Sequence, residues 1–492
     1  MNAEGHILAI TGSIAEVSFS TGAPKRGDVL TTGGEYPAQM EVIASATPRS
    51  VYCLVLKSGK RLSRGQVVQL TGQPLMVPVG SAVLGRAFDI FSTPHDGAGP
   101  LPAEPRRPLH TTPHRNLNTI VAPKDIMETG IKAIDFFTPL LHGGKAALIG
   151  GAGVGKTVVL TQLAQRLVIR PQDKKQRAGV AVFSAVGERS REAQELYNDL
   201  KESGVLPKTT LILGQMGENP AVRFRTAYAG AVIAEYFRDE EKTDVLYYMD
   251  NLYRFAQAGH ELATITNTIP SEDGYQATLT SEMASLNERL HSTKHASVSS
   301  FMALFVPGDD FTDAGVRAAF PFLDTTIILS RDIFQSGRYP AIDLLASNSA
   351  ALTPSIVGNK HYLAYIQAKQ ILELSAELER IASLVGENEL ASDNQKIFRR
   401  AKLITNYMTQ DMYLSAAETG HPDVSVPRKR TVEIINDIVG GKLDSVDPER
   451  LRYIDDATTT KIIDSAKKPS SPSKIANSAT KPAVPERQLA TE

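Results

Sequence analysis

From the N-terminus to about residue 80, apolar and polar residues alternate in short runs: HILAIT, AEVSFS, MEVIAS, VYCLVL and QVVQLT. A period of two puts successive side chains on opposite faces of a strand, and Gly, Pro and charged turns separate the runs. The pattern predicts a small antiparallel β-barrel or sandwich over residues 1–80. A passage dense in proline, roughly 91 to 125, has no periodicity and reads as a connecting loop region. From about 126 the runs become continuously apolar (KAALIG, VAVFSAVG, TLILG, DVLYYMD, SSFMALFVP, TTIILS) and alternate with helical stretches such as AVRFRTAYAGAVIAEYFRDEE. Strands apolar on both faces, alternating with helices, predict an α/β domain over 81–355 with a mostly parallel sheet covered on each side. Chemistry then belongs in the loops beyond the carboxyl ends of the strands. Over 356–464 the strands vanish. YLAYIQAKQILELSAELERIASL and IFRRAKLITNYM have the apolar spacing of helices and predict a helical bundle. Residues 465–492, rich in Pro, Ser, Ala and Lys, read as a disordered tail. No repeat of fixed period is present.

Composition narrows the class. A chain of 492 residues exceeds one ordinary core, so two to four domains are expected. The 53 basic and 54 acidic residues nearly cancel, which argues against a nucleic-acid binder. The one cysteine, Cys53, sits in VYCLVL without thiol or histidine neighbours and reads as a buried structural thiol. That excludes a disulfide framework and fits a reducing compartment. No apolar run approaches the ~18 residues needed to cross a bilayer, and MNAEGHILAITGS lacks the form of a secretory leader. Any membrane connection is therefore expected through partners.

Candidate chemistry is concentrated after the strands of the α/β region. Residues Gly150 to Thr157, GGAGVGKT, fit G-x-x-x-x-G-K-[ST] and lie between the strand KAALIG and the helix VVLTQLAQRL. In that context Gly150, Gly151, Ala152, Gly153, Val154 and Gly155 form a phosphate cradle running on to Val158. Lys156 brings a point charge to the outer phosphates, and Thr157 a hydroxyl to Mg²⁺. Asp250 closes the strand DVLYYMD, where a carboxylate can hold the water shell of Mg²⁺. In SAVGERSRE, Gly187 permits a tight exit and aims Glu188 where water attacks a terminal phosphate. Arg189 and Arg254 are candidates to stabilise the charge that develops. Alone, Asp250 reads first as a turn residue, and Glu188, Arg189 and Arg254 each as members of ordinary surface ion pairs; the phosphate loop beside them is what favours chemistry.

Taken together, GGAGVGKT, VGERSRE, GQMGENP, MDNLYRFAQAGHE, IPSEDGYQATL, VPGDDFTD, LDTTIILSR and RYPAID occur in the order and spacing of one family. The chain resembles the catalytic beta subunit of F-type rotary ATP synthases over roughly residues 5–420, and more faintly to about 460. Asn251-Leu252-Tyr253-Arg254 separates it from export ATPases, and Glu188 from the non-catalytic alpha subunit. The resemblance implies a barrel, a RecA-like P-loop domain and a helical domain, with MgATP or MgADP as the bound species. It implies that Glu188 orients the attacking water, that Glu192 and Asp250 support the metal, and that Arg189 and Arg254 meet the terminal phosphate. Tyr339 would stack on the adenine. The implied partners are alpha subunits in an alternating hexameric ring, which supply a further arginine in trans, and a gamma-type rotor stalk. Asp310, Thr312 and Asp313, and the loop holding Glu389 and Asp393, would face that rotor. No nucleic acid is implied. The implied location is the cytoplasmic face of a bacterial plasma membrane, or the matrix or stroma side of an organelle membrane, attached through other subunits.

The sequence also departs from the family. Two adenine-pocket aromatics are replaced by Met412 and Glu418 in QDMYLSAAETG, with Tyr413 nearby as a possible substitute. Met offers soft apolar contact, whereas Glu418 cannot stack, at ~1 kcal/mol per lost aromatic partner. The acidic rotor loop is thinned to NELASDN, and the arginine of a family SxSR motif is Ala350. The leading expectation is a catalytic subunit of a rotary synthase coupled to proton or sodium-ion flow. Alternatives are a paralogous rotary ATPase that only hydrolyses ATP, and a nucleotide-binding structural subunit without turnover.

Overall fold

The computed structural model describes residues 4–20, 24–57, 62–110, 118–168, 179–266, 268–271, 273–412, 424–454 and 458–462. Tyr413, Glu418 and the tail after Ser465 lie outside the described residues.

The N-terminal alternation folds as expected. Six strands close an antiparallel barrel in the order Glu4–Thr11, Ile14–Phe19, Ser50–Lys57, Gln39–Thr47, Asp28–Thr32 and Val67–Pro74. Ile14–Phe19 shows the pattern most cleanly, with every second residue buried. Val17, Phe19, Leu30, Met40 and Cys53 fill the interior. Cys53 is fully buried, and burial pushes its thiol up to about 12, so it behaves as a small hydrophobe.

Eight strands make the central sheet, in the order Asn348–Ser349, Thr325–Ile328, Lys145–Gly150, Val298–Phe305, Val245–Asp250, Val180–Glu188, Thr209–Gln215 and Ala87–Phe88. All neighbours pair in parallel except Asn348–Ser349, which runs antiparallel at one edge. The inner strands are buried along almost their whole length, which is why they read as continuous apolar runs. Helix Pro220–Asp239 begins where its sequence says it should: Asn219 accepts a hydrogen bond from the Ala221 N–H, and Pro220 occupies the first turn. The passage read as a connector does more than connect: Arg106–Pro108 pairs with Met76–Pro78, and Ile120–Val121 pairs with Ser292–Thr293, while just before it Ala87–Phe88 joins the sheet. Strands of two or three residues are too short to show a period.

The barrel is fastened to the sheet region by buried polar contacts. Glu41 pairs with Arg225 at 2.6 Å, both almost fully buried, and with His110 at 3.1 Å. The Asn219 amide donates to the Val55 carbonyl at 2.8 Å. Beyond the sheet, helices Asn359–Val385, Ser392–Tyr407 and Arg428–Val439 pack against one another as the predicted bundle. The bundle docks on the short helix Lys132–Phe137. His361 Nε2 donates to the Phe136 carbonyl at 2.9 Å, and its ring stacks on Phe136 at 4.9 Å. Gln410 accepts from the Lys132 N–H at 2.8 Å and donates to the Gly130 carbonyl at 2.8 Å.

Candidate active site

Strand Lys145–Gly150 ends in the glycine loop, and helix Lys156–Val168 follows at once. Gly153 and Gly155 hold φ of +75° and +88°, and a Cβ on either would meet nothing within 4 Å. The glycines there are required by conformation and not by crowding. Val154 is buried and anchors the loop, while Gly150 and Gly151 would clash with Leu329 and Asp309 if they carried a Cβ. The Lys156 ammonium donates to the Gly150 carbonyl at 2.9 Å and to that of Gly151. Burial holds it below the usual lysine range, against the pull of Asp250 and Glu188. Val158, on the same helix, is 39% exposed.

Two places along the sheet from Lys145–Gly150 stands Val245–Asp250, and Val180–Glu188 ends beside it one place further on. The Thr157 hydroxyl donates to Asp250 Oδ2 at 3.1 Å, which ties the phosphate loop to the tip of a strand two places along the sheet. Burial lifts the Asp250 carboxyl above its ordinary range, opposed by Thr157 and Lys156. Gly187 has φ of +71° and is the unpaired residue of a register shift, after which Glu188 pairs with Gln215 at the strand end. The Glu188 carboxyl is pushed far above the carboxylate range, first by burial and then by Asp250 and Glu192. Glu192 is held low, first by the hydrogen bond it shares with Glu188. Two crowded carboxyls of raised pKa beside a hydroxyl are a donor set that welcomes a cation. Among the described residues no three carboxylates, imidazoles or thiols converge on a metal position. A cation here would therefore take most of its shell from phosphate oxygens and water, as Mg²⁺ prefers.

The arginines differ in placement. Arg254 rises from the first turn of helix Leu252–Ile265, packs against Gly187 and donates to Gln257 at 2.9 Å. Its charge lowers the pKa of both Glu188 and Glu192. Arg189 caps helix Ser190–Glu202, lies 3.6 Å from Glu192 and has a largely exposed side chain. Arg331 and Asp309 stand against the Gly151 backbone and pair with each other at 3.9 Å. Sequence reading assigned neither a role; the position of Arg331 just past strand Thr325–Ile328, which adjoins the phosphate-loop strand, was the available signal.

Tyr339 is 40% exposed on the turn that follows helix Arg331–Gln335, with Phe334 edge-on to its ring at 5.3 Å. Its carbonyl accepts from the Gln410 N–H at 2.8 Å. Met412, two residues further on, is buried in the main core. The acidic segments lie elsewhere. Asp310 accepts from the Thr312 N–H and hydroxyl at 2.9 and 2.7 Å, and these bonds hold its carboxyl low. Asp313 caps helix Ala314–Arg317 and accepts from the Tyr275 hydroxyl at 3.1 Å. Glu389 closes a short turn at the end of the long helix, and Asp393 pairs with Lys396 at 3.2 Å. Among the described residues no helix is long and apolar enough to cross a membrane.

Comparisons with known proteins agree with this geometry. Residues 130–349 match the nucleotide-binding domain of the ATP synthase alpha/beta family, and residues 351–449 match the C-terminal domain of V and A type ATP synthases. The chain is 43% identical over 444 residues to ATP synthase subunit beta 3 of Paraburkholderia xenovorans (strain LB400), covering 89% of each. With a loop, a sheet order and a relative that all agree, the chain belongs to the ATP synthase alpha/beta family and is of the beta-subunit type.

Proposed function

We propose that this chain is the catalytic subunit of a rotary ATP synthase, interconverting ADP plus phosphate and ATP. The observation that carries the reading is the convergence of Lys156, Thr157, Glu188, Asp250 and Arg254 at the carboxyl ends of neighbouring parallel strands. Thr157 and Asp250 would hold Mg²⁺, which when bound neutralises phosphate charge. Lys156 leaves its loop carbonyls for the outer phosphates. Glu188, whose environment raises its basicity, orients water and takes its proton during hydrolysis, returning it in synthesis. Arg254 offsets charge on the transferring group, joined by Arg189 once Arg189 swings from Glu192 and by an arginine from a neighbouring alpha subunit. Tyr339 supplies the platform for adenine. Alternation with alpha subunits around a gamma-type stalk, and peripheral attachment to an ion-conducting membrane sector, complete the reading.

The test is turnover in rings reconstituted with alpha-type partners. Glu188→Gln should cut MgATP hydrolysis by about 10²–10⁴-fold while bound nucleotide is retained. Undiminished turnover would show that another group orients the water. A second reading, a rotary ATPase that only hydrolyses, is favoured by the V and A type match over 351–449 and by the thinned acidic loop. ATP formation by the assembled complex in vesicles under an imposed ion gradient separates the two.

A further inference from the structure

Resting on the reading of Tyr339 as the base platform, the contacts of that turn identify what holds it in place. Gly337, at φ +67°, lets the chain reverse so that Tyr339 projects from a short, exposed turn. Local bonds, among them the Gly337 N–H to the Phe334 carbonyl at 3.0 Å, shape the start of the turn, and further fasteners come from far along the chain. The Tyr453 hydroxyl accepts from the Tyr339 N–H at 3.0 Å and donates to the Gly337 carbonyl at 2.6 Å. One oxygen therefore closes the turn from both sides. Arg452 adds a second fastener, donating to the Gly337 carbonyl at 2.6 Å.

This segment is itself held rigidly. The Tyr453 N–H donates to Thr409 Oγ1 at 2.9 Å, one residue before Gln410, whose N–H takes the Tyr339 carbonyl. Arg452 lies 3.8 Å from Glu449, which accepts from Asn406 at 3.1 Å. Tyr453 has φ of +51°, an uncommon conformation for a bulky residue and one that persists where surroundings over-determine it. On the Tyr339 turn the partners of its hydroxyl are main chain, the Tyr339 N–H and the Gly337 carbonyl, so the hydroxyl fixes the path of the turn without engaging the 40% exposed Tyr339 ring.

We propose that Tyr453 is a positioning residue for base recognition: through its hydroxyl, assisted by Arg452, it sets the Tyr339 platform and thereby the preference for a purine nucleotide over bare phosphate. With Met412 buried in the core, that platform carries more of the base contact than it would between two further rings.

Equilibrium binding of MgATP and of Mg-tripolyphosphate to the full-length chain tests this, using Tyr453→Phe and Tyr339→Ala with the parent. Tyr453→Phe keeps the ring and removes one hydroxyl. It should weaken ATP about 3- to 10-fold, as the loss of a hydrogen-bonded link allows, and leave tripolyphosphate within about 2-fold. Equal weakening of both ligands would make Tyr453 merely structural and overturn the proposal. No change in Tyr453→Phe, with ATP weakened in Tyr339→Ala, would also overturn it while the platform reading stands. If Tyr339→Ala leaves the ratio of the two affinities unaltered, the platform reading fails and this proposal fails with it.

Discussion

Gly187→Ala isolates the geometry that aims Glu188. The residue sits at φ +71°, and a Cβ there would lie 3.0 Å from Arg254 Cβ, 3.3 Å from Cγ and 3.5 Å from Cδ. Left-handed backbone costs an alanine about 1–2 kcal/mol. In a domain of this size each kcal/mol moves Tm by about 2–4 °C, so a fall of about 2–8 °C is expected from strain alone. The second cost falls on function. Carbon atoms prefer about 3.5–4.0 Å, so Arg254 must retreat by about 0.5–1 Å to admit the methyl. A misplacement of 1 Å can cost about 10²-fold in rate, and kcat should drop about 10- to 100-fold. MgADP affinity should stay within about 2-fold, because the phosphate loop belongs to a strand three places away in the sheet. Gly12→Ala is the control: it has φ of +58° in a barrel turn with nothing within 4 Å of a Cβ, so strain appears without the clash. The measurements are kcat in reconstituted rings and thermal unfolding of the chain. If Gly187→Ala loses the expected stability yet turns over at the parental rate, Arg254 is not placed to stabilise the reaction.

Two further expectations concern the junctions. His361 donates through Nε2 to Phe136, and its other nitrogen faces Arg428 Nη1 at 3.3 Å, so protonation would set like charges together. Burial brings its pKa down to about 4, from 6.5; between those values the unfolded chain binds the extra proton, and stability falls as pH drops through the window. The total is about 3 kcal/mol at ~1.4 kcal/mol per unit, and urea midpoints from pH 7 to 4.5 should fall more steeply for the parent than for His361→Asn; parallel curves would refute the assignment. Glu41→Gln leaves the buried Arg225 charge without its partner and should cost about 3–5 kcal/mol. Urea unfolding checks this, and adding Arg225→Met should recover much of the loss if the cost is the stranded charge.

The fold was legible where a periodic signal ran long enough. Ile14–Phe19 declared its face by alternation, and Val298–Phe305 declared burial on both sides by an unbroken apolar run. Ala87–Phe88 and Asn348–Ser349 hold the two sheet edges with two residues each, and no pattern exists at that length. Within the site, the residues that could be read were those fixed by local chain geometry: glycines at the loop, Asp250 at a strand tip, and Glu188 one step past Gly187. Arg331 and Tyr453 were not, because their partners are reached only through the fold. Tyr453 meets Tyr339 across 114 residues of sequence, and no spacing rule spans such a gap. Side-chain direction was equally hidden. Arg189 is expected to face a terminal phosphate, and its guanidinium lies with Glu192.

The same division between local and remote contacts orders the site itself. Everything at the phosphate end is made within the sheet: Lys156 bonds its own loop, Thr157 bonds Asp250, and Gly187 packs on Arg254. At the base end the Tyr339 turn depends on Gln410, Tyr453 and Arg452, all from the helical region. A small shift of that region relative to the sheet would break hydrogen bonds at the base end, while the phosphate contacts, whose partners move together, would persist. Interfaces of this kind hold two arrangements more readily than a continuum between them. On the proposed reading of Tyr339 as the base platform, a displacement of the helical region, whose far turn carries Glu389 and Asp393, would reach a bound nucleotide first at the Tyr339 turn.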